Sequence, residues 1–333
     1  MLNIALLGAG RIGAIHGVNV ASNPRTRLVA VSDPVDEAAR RLAQTTGAAV
    51  ADVESVLQDK TIDAVVICTP TDTHADLIEA CVRAGKAVLC EKPVDLSSSR
   101  IRDCLKIVEA SGKPLMIGFN RRFDPNFAEV KRRIDAGAIG DVELVTIISR
   151  DPAPPPVEYV ARSGGLFRDM MIHDFDMARF LLGEEPVEVH AVGSSLVDPA
   201  IGAAGDVDTA AVLLKTASGK ICQISCSRRA TYGYDQRIEA HGSAGMLRAA
   251  NMHETTVEHA DAKGMRADPI QRFFLERYEA AYRRELAAFV DAVLDGGPPT
   301  PSGQDGLRAQ MLADAATQAC ASGQPVKIAN PSP

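Results

Sequence analysis

Three short stretches carry the side chains best suited to chemistry. In Glu91-Lys92-Pro93 the residue before proline is pushed from helical toward extended backbone, which steers Lys92 off any helix. An ammonium held there can donate to a hydroxyl or carbonyl and stabilise charge that develops on the oxygen. In the run Asp169-Met170-Met171-Ile172-His173-Asp174-Phe175-Asp176, a helix would place Asp169 and His173 on one face, with Asp176 three residues further on. A histidine oriented by a carboxylate suits general-base work near neutral pH. The same three side chains can also be read as metal ligands, but no further His or Cys stands at ligand spacing, and no metal is assigned. The third stretch is Gly8-Ala9-Gly10-Arg11-Ile12-Gly13, a G-x-G-x-x-G run of the kind that cradles phosphate.

Such side chains need a scaffold that brings them to one edge, and the first 117 residues carry the pattern of one. Short apolar runs at 4–7, 28–31, 64–68, 87–90 and 115–117 alternate with helical segments at 12–21, 36–44, 75–84 and 98–110. Near-continuous apolar strands separated by helices predict a doubly wound parallel sheet, a Rossmann unit of the α/β class. The glycine run then joins its first strand to its first helix. Gly8 permits the tight turn, Gly10 lets the backbone approach a pyrophosphate, and Gly13 allows close helix–sheet packing. The amides of Arg11 and Ile12 open the helix whose dipole meets the phosphate charge. Asp33, 20 residues past Gly13 at the end of the next strand, is placed to accept from ribose hydroxyls. A carboxylate there repels a 2′-phosphate, and Pro34-Val35-Asp36 adds no cation, so NAD is expected in preference to NADP. Thr69-Pro70 and Glu91-Lys92 also leave carboxyl ends of strands, where ligands of open α/β sheets collect, and His74 is taken as a further cofactor-loop contact.

Beyond about residue 120 the pattern changes. Strand-like runs at 142–150, 187–194, 208–215, 221–227, 236–240 and 246–249 mostly follow one another without helices. Thr216-Ala217-Ser218-Gly219 and Gly242-Ser243-Ala244-Gly245 are hairpin-type turns between them. The expectation is an α+β domain with a large, mostly antiparallel open sheet and helices at 127–135, 174–182, 278–294 and 304–321. The chain should thus divide into a cofactor domain, 1–119, and a substrate-binding and oligomerisation domain, 120–333. Asp151 opens the Pro-rich segment 151–156, either a spacer or the rim of a site. Tyr232 and Tyr234, two apart on a strand edge, would share a side, by sheet packing or by lining a pocket. Arg121 is either a donor to ligand hydroxyls or a surface charge at a helix entry.

Composition sets outer limits. With 46% hydrophobic residues, 24% charged residues and a net charge of −7, the chain reads as a globular enzyme. No broad attraction for nucleic acid or an anionic membrane is expected of it. No apolar stretch approaches the length of a membrane span, and Met1-Leu2-Asn3-Ile4 runs straight into the glycine motif, so no signal peptide is expected. The seven cysteines form no C-x-x-C pair and several fall in apolar segments, which fits buried thiols in a reducing cytoplasm.

Taken together, residues 8–13, Thr69-Pro70, Glu91-Lys92-Pro93 and the D-x-x-x-H pattern of Asp169 and His173 resemble the Gfo/Idh/MocA oxidoreductases over essentially the whole chain. Within that family, residues 118–125, 163–169 and 232–235 look most like those of inositol 2-dehydrogenases. The resemblance implies NAD-dependent oxidation of a ring hydroxyl of a small polyol, myo-inositol, to the ketone. It implies Lys92, Asp169 and His173 as the catalytic group, with Arg121, Asp151, Tyr232 and Tyr234 lining the polyol pocket. It further implies a homotetramer in which the open sheet packs on a neighbouring subunit. A scyllo-inositol or aldose 1-dehydrogenase, an NAD-sensing regulator and a metal-dependent hydrolase remain as alternatives.

Overall fold

In the computed structural model, which describes residues 1–328, the apolar runs of the first third pair into one parallel sheet. Its strands are β1 (Leu2–Leu7), β2 (Thr26–Ser32), β3 (Ala49–Val50), β4 (Ala64–Ile67), β5 (Ala87–Glu91) and β6 (Leu115–Gly118). They lie in the order β3-β2-β1-β4-β5-β6, connected by α1 (Arg11–Ser22), α2 (Asp36–Thr46), α3 (Val53–Gln58), α4 (His74–Arg83) and α5 (Ser98–Ser111). Every residue of β4 is buried, as a strand covered by helices on both faces must be. The order reverses between β1 and β4, the switch point at which such sheets receive dinucleotides. Asp52 and Ser97 cap α3 and α5, while Gly47 and Gly112 close α2 and α5 in the left-handed region. The short edge elements β3 and α3 were not anticipated, because both residues of β3 are exposed and leave no apolar run.

The second sheet begins after α6 (Pro125–Asp135) with β7 (Val142–Arg150), which becomes a central strand. α7 (Val157–Ser163) and α8 (Ile172–Leu182) follow, then β8 (Pro186–Ser194), α9 (Pro199–Ala203), β9 (Thr209–Thr216), β10 (Ile221–Ser227), β11 (Asp235–Gly242) and β12 (Gly245–Ala249). A separate exposed hairpin, β13 (Glu258–Asp261) and β14 (Gly264–Ala267), precedes α10 (Phe274–Arg277), α11 (Glu279–Leu294), α12 (Gly303–Ser322) and β15 (Val326–Lys327). The sheet order is β12-β11-β7-β10-β9-β8-β15. All its pairings are antiparallel except β7 with β10, so the sheet is mostly antiparallel, as expected, with one parallel contact. Helices α6 and α8 pack against it. Along β9 buried and exposed residues alternate, and the outward set includes Leu213, which pairs with His190 of β8 and Gln223 of β10 and has the exposed Val192 and Ile221 diagonal to it.

The chain forms two compact units, but their boundary is not the single cut expected near residue 119. The first unit is Met1–Phe123 with Ala281–Gln310, and the second is Asp124–Ala280 with the chain from Met311 onward. The reason is packing: Leu286, Phe289 and Val290 of α11 are buried in one cluster with Ile4, Leu6, Val66 and Leu89 of the parallel sheet. Helical periodicity marks an apolar face without saying which core receives it. Among the described residues, no helix is long and apolar enough to cross a membrane.

Candidate active site

The glycine run takes the shape its spacing requires. Gly8 has φ +94°, and a Cβ there would lie 2.6 Å from the Cys68 carbonyl. At Gly13 a Cβ would fall 1.8 Å from the Gly8 carbonyl oxygen, so only glycine lets α1 approach so closely. Gly10 differs: a Cβ there would meet nothing within 4 Å, and Gly10 starts α1 with no side-chain cap. Its backbone therefore faces open space at a helix N-terminus, the environment a pyrophosphate needs. Arg11 is exposed and Ile12 half-buried on the first turn. Asp33 does more than the sequence suggested. One carboxylate oxygen accepts from the Ala9 amide at 2.6 Å and the other from the Val35 amide at 2.8 Å, tying the glycine loop to the end of β2. Lone pairs remain on both oxygens for ribose hydroxyls.

In the sheet order β2-β1-β4-β5, four neighbouring strands deliver Asp33, the glycine run, Thr69-Pro70 and Glu91-Lys92 at their carboxyl ends. The outer two of these strands are three strand spacings apart, about 14 Å.

Lys92 itself is bracketed by two histidines. Before it, Glu91 Oε1 lies 2.8 Å from Nε2 of His16 on α1. After it, the Pro93 carbonyl oxygen lies 2.7 Å from His74 Nδ1, whose Nε2 is 2.7 Å from the Thr69 carbonyl oxygen. His74, 1% exposed, therefore braces the Thr69 and Lys92 loops from within. Thr69 Oγ1 also meets Thr73 Oγ1 at 2.6 Å, tightening the turn into α4. Gly118 makes room for Glu91, since a Cβ there would sit 3.1 Å from its carboxylate. His16 carried no sequence signal beyond its place in the helix after the glycine run. The nearby thiols are inert: burial, reinforced by Glu91, pushes Cys68 well up, and burial pushes Cys81 up to about 12.

In the second unit, Asp169 lies in a π-helical turn, Leu166–Met170, and α8 starts only at Ile172. The four-residue spacing to His173 is thus not one regular α-helical face, as the sequence had suggested. Gly165 at φ +82° enters this turn, and the Asp206 carboxylate accepts from the Leu166 amide at 3.0 Å. Asp169 Oδ1 accepts from the Tyr159 hydroxyl at 3.0 Å, and Oδ2 lies 3.9 Å from the buried Arg228 guanidinium. His173 is half-buried on the first turn of α8. Asp176 is buried 3.3 Å from Arg179, which also pairs with Glu185; the ion pair removes it from the ligand set considered with Asp169 and His173.

The remaining expected residues separate. Arg121, in the first unit, is 4% exposed within the turn Asn120–Phe123 and is no surface charge. Asp151 is half-buried just past β7, its amide donating to the Ser227 carbonyl at 3.0 Å. Tyr232 and Tyr234 precede β11 in a turn and do not share a side. Tyr232 is exposed, donating to Asp235 at 2.6 Å and accepting from Arg150 at 3.0 Å. Tyr234 is buried edge-on against Phe273 and Tyr278. Gly233 at φ +129° between them breaks the strand alternation.

Residues 2–119 match the oxidoreductase family with an NAD-binding Rossmann fold, and residues 127–248 match the Gfo/Idh/MocA C-terminal domain. Over 98% of its length the chain is 55% identical to inositol 2-dehydrogenase of Rhizobium meliloti, spanning 99% of that protein. A crystal structure of a myo-inositol dehydrogenase from Corynebacterium glutamicum is similar with a TM-score of 0.96 and 46% identity, covering 100% of both chains. That of scyllo-inositol dehydrogenase from Lactobacillus casei, with bound NAD(H) and scyllo-inositol, gives 0.92 and 31% over 98% of this chain and 99% of that one.

Proposed function

Because the chain belongs to the Gfo/Idh/MocA oxidoreductase family, we propose that it oxidises a ring hydroxyl of myo-inositol to the ketone, 2-keto-myo-inositol, with NAD as cofactor. NAD supplies the hydride acceptor when bound. Gly8, Gly10, Gly13 and the start of α1 would hold its phosphates, and Asp33 its ribose. Lys92 donates to the reacting oxygen and stabilises the negative charge that grows there as the C–H bond breaks. His173 takes the hydroxyl proton, and Asp169, steadied by Tyr159 and Arg228, orients the imidazole and stabilises its charged form. Arg121, Asp151 and Tyr232 supply hydrogen bonds to the other ring hydroxyls.

The observation that carries hydride transfer is the delivery of Asp33, the glycine run and Lys92 at neighbouring carboxyl ends of one sheet. Inositol as substrate is supported by the full-length likeness to inositol dehydrogenases, and the greater identity to the Corynebacterium myo-inositol dehydrogenase than to the Lactobacillus casei scyllo-inositol dehydrogenase favours myo- over scyllo-inositol. The open sheet face with Val192, Leu213 and Ile221 supports a homotetramer, since apolar faces of this kind are normally covered. A cytoplasmic site of action fits the seven cysteines, which are all free and mostly buried. The test is the ranking of kcat/KM for myo-inositol, scyllo-inositol and D-glucose with NAD and with NADP. Myo-inositol with NAD should stand first; glucose or scyllo-inositol in that place would overturn the substrate assignment.

A further inference from the structure

Behind the Lys92 loop lies a second cluster of ionisable groups. Glu285, on α11, is wholly buried, and among the described residues neither of its carboxyl oxygens has a hydrogen-bond partner. A carboxyl oxygen of Glu285, one of Glu91 and a ring nitrogen of His16 lie within 4.8 Å of one another. Among the described residues, titratable groups around them include the Tyr282 ring, edge-on to His16 at 5.5 Å, the Cys68 and Cys90 thiols, and Lys92, next to Glu91 in the chain.

Two carboxylates this close in a buried setting cannot both carry charge, because mutual repulsion adds to the cost of desolvation. Their partners decide which one keeps a proton. Glu91 has the His16 ring nitrogen at 2.8 Å, and an N–H donor there favours its ionised form. Glu285 has no such donor. Burial first, and the charge of Glu91 second, push its carboxyl well above the ordinary glutamate range.

We propose that Glu285 is a positioning residue for Lys92: it holds one proton against Glu91, so the pair bears a single charge that His16 anchors. The strand end that presents Lys92 then stays in place. This role for Lys92 rests on the dehydrogenase reading above. Loss of the proton at high pH would set two charges against each other and push Glu91 away from α1. Such a displacement shifts the take-off point of the next residue, and misplacement by about 1 Å can lower a rate about 100-fold.

The test has two parts, one of which needs no turnover. Infrared difference spectra of the NAD-bound protein near neutral pH should contain a protonated-carboxyl stretch that vanishes in Glu285→Gln. In steady-state assays Glu285→Leu should lower kcat by about tenfold or more while the KM for NAD changes by less than about threefold. Glu285→Gln, neutral and of the same shape, should recover most of that loss, and the fall of wild-type kcat at alkaline pH should be displaced or absent in it. No protonated-carboxyl band, a Gln variant as impaired as the Leu variant, or a stoichiometric divalent cation lost in Glu285→Gln would overturn the proposal. A protein with the band but no activity toward any polyol would instead refute the dehydrogenase reading.

Discussion

Replacing Asp33 by alanine separates the two tasks assigned to its carboxylate. In the protein it accepts from the Ala9 and Val35 amides at 2.6 and 2.8 Å. Hydrogen bonds to a charged group contribute about 1.5–3 kcal/mol each, but these amides lie at a partly exposed loop where water replaces part of the loss. A net destabilisation of about 1–3 kcal/mol follows, readable by urea denaturation. Loss of a ribose contact of similar strength should raise the KM for NAD by about 10- to 100-fold, at about 1.4 kcal/mol per factor of ten. The turnover number should hardly change, because β2 lies about 14 Å from the strand that carries Lys92. Removing the negative charge should also raise the ratio of kcat/KM for NADP to that for NAD. Initial rates with each cofactor at saturating polyol measure all three quantities. A folded Asp33→Ala protein with unchanged KM for NAD and unchanged discrimination against NADP would refute the reasoning.

Three further outcomes are expected. Lys92→Ala should lower kcat by about 10²–10³-fold, the usual effect of removing a donor to a charge-developing oxygen, while NAD titration shows binding intact. Phe289→Ala should destabilise the protein by about 3–5 kcal/mol in urea, since the ring is wholly buried against the parallel sheet; a loss below about 1 kcal/mol would deny α11 its place in that core. The raised carboxyl of Glu285 makes its contribution to stability fully present below the ordinary value of 4.5 and progressively lost as pH rises toward the folded-state value. The slope is at most about 1.4 kcal/mol per pH unit, and Glu285→Gln should remove it from melts recorded across that window.

What could be read from the sequence follows from how each element is buried. Strands β1, β4 and β5 lie between helix layers and are therefore nearly continuous apolar runs, whereas β3 is two exposed residues and left no trace. In the second sheet, alternation along β9 and β10 marks the strands, but nothing local fixes which strands pair, and the parallel contact of β7 with β10 joins segments far apart in the chain. The return of α11 to the first core is equally non-local. Within the candidate site, Gly8 and Gly13 carried a local signal because the turn and the close approach of α1 leave no room for a side chain, and Asp33 and Lys92 because they follow strand ends. His16 and Glu285 carried none, since their meaning arises only when α1, β5 and α11 come together. Asp176 did carry a local signal, Arg179 three residues on, which marks an ion pair in place of a ligand.

The most direct test of the central claim is the absorbance of NADH when the purified protein is mixed with NAD and myo-inositol. The account predicts steady NADH formation with the inositol ketone as product, dependent on the inositol and largely lost in Lys92→Ala. No NADH from myo-inositol, under conditions where NAD binding is itself measured, would contradict it.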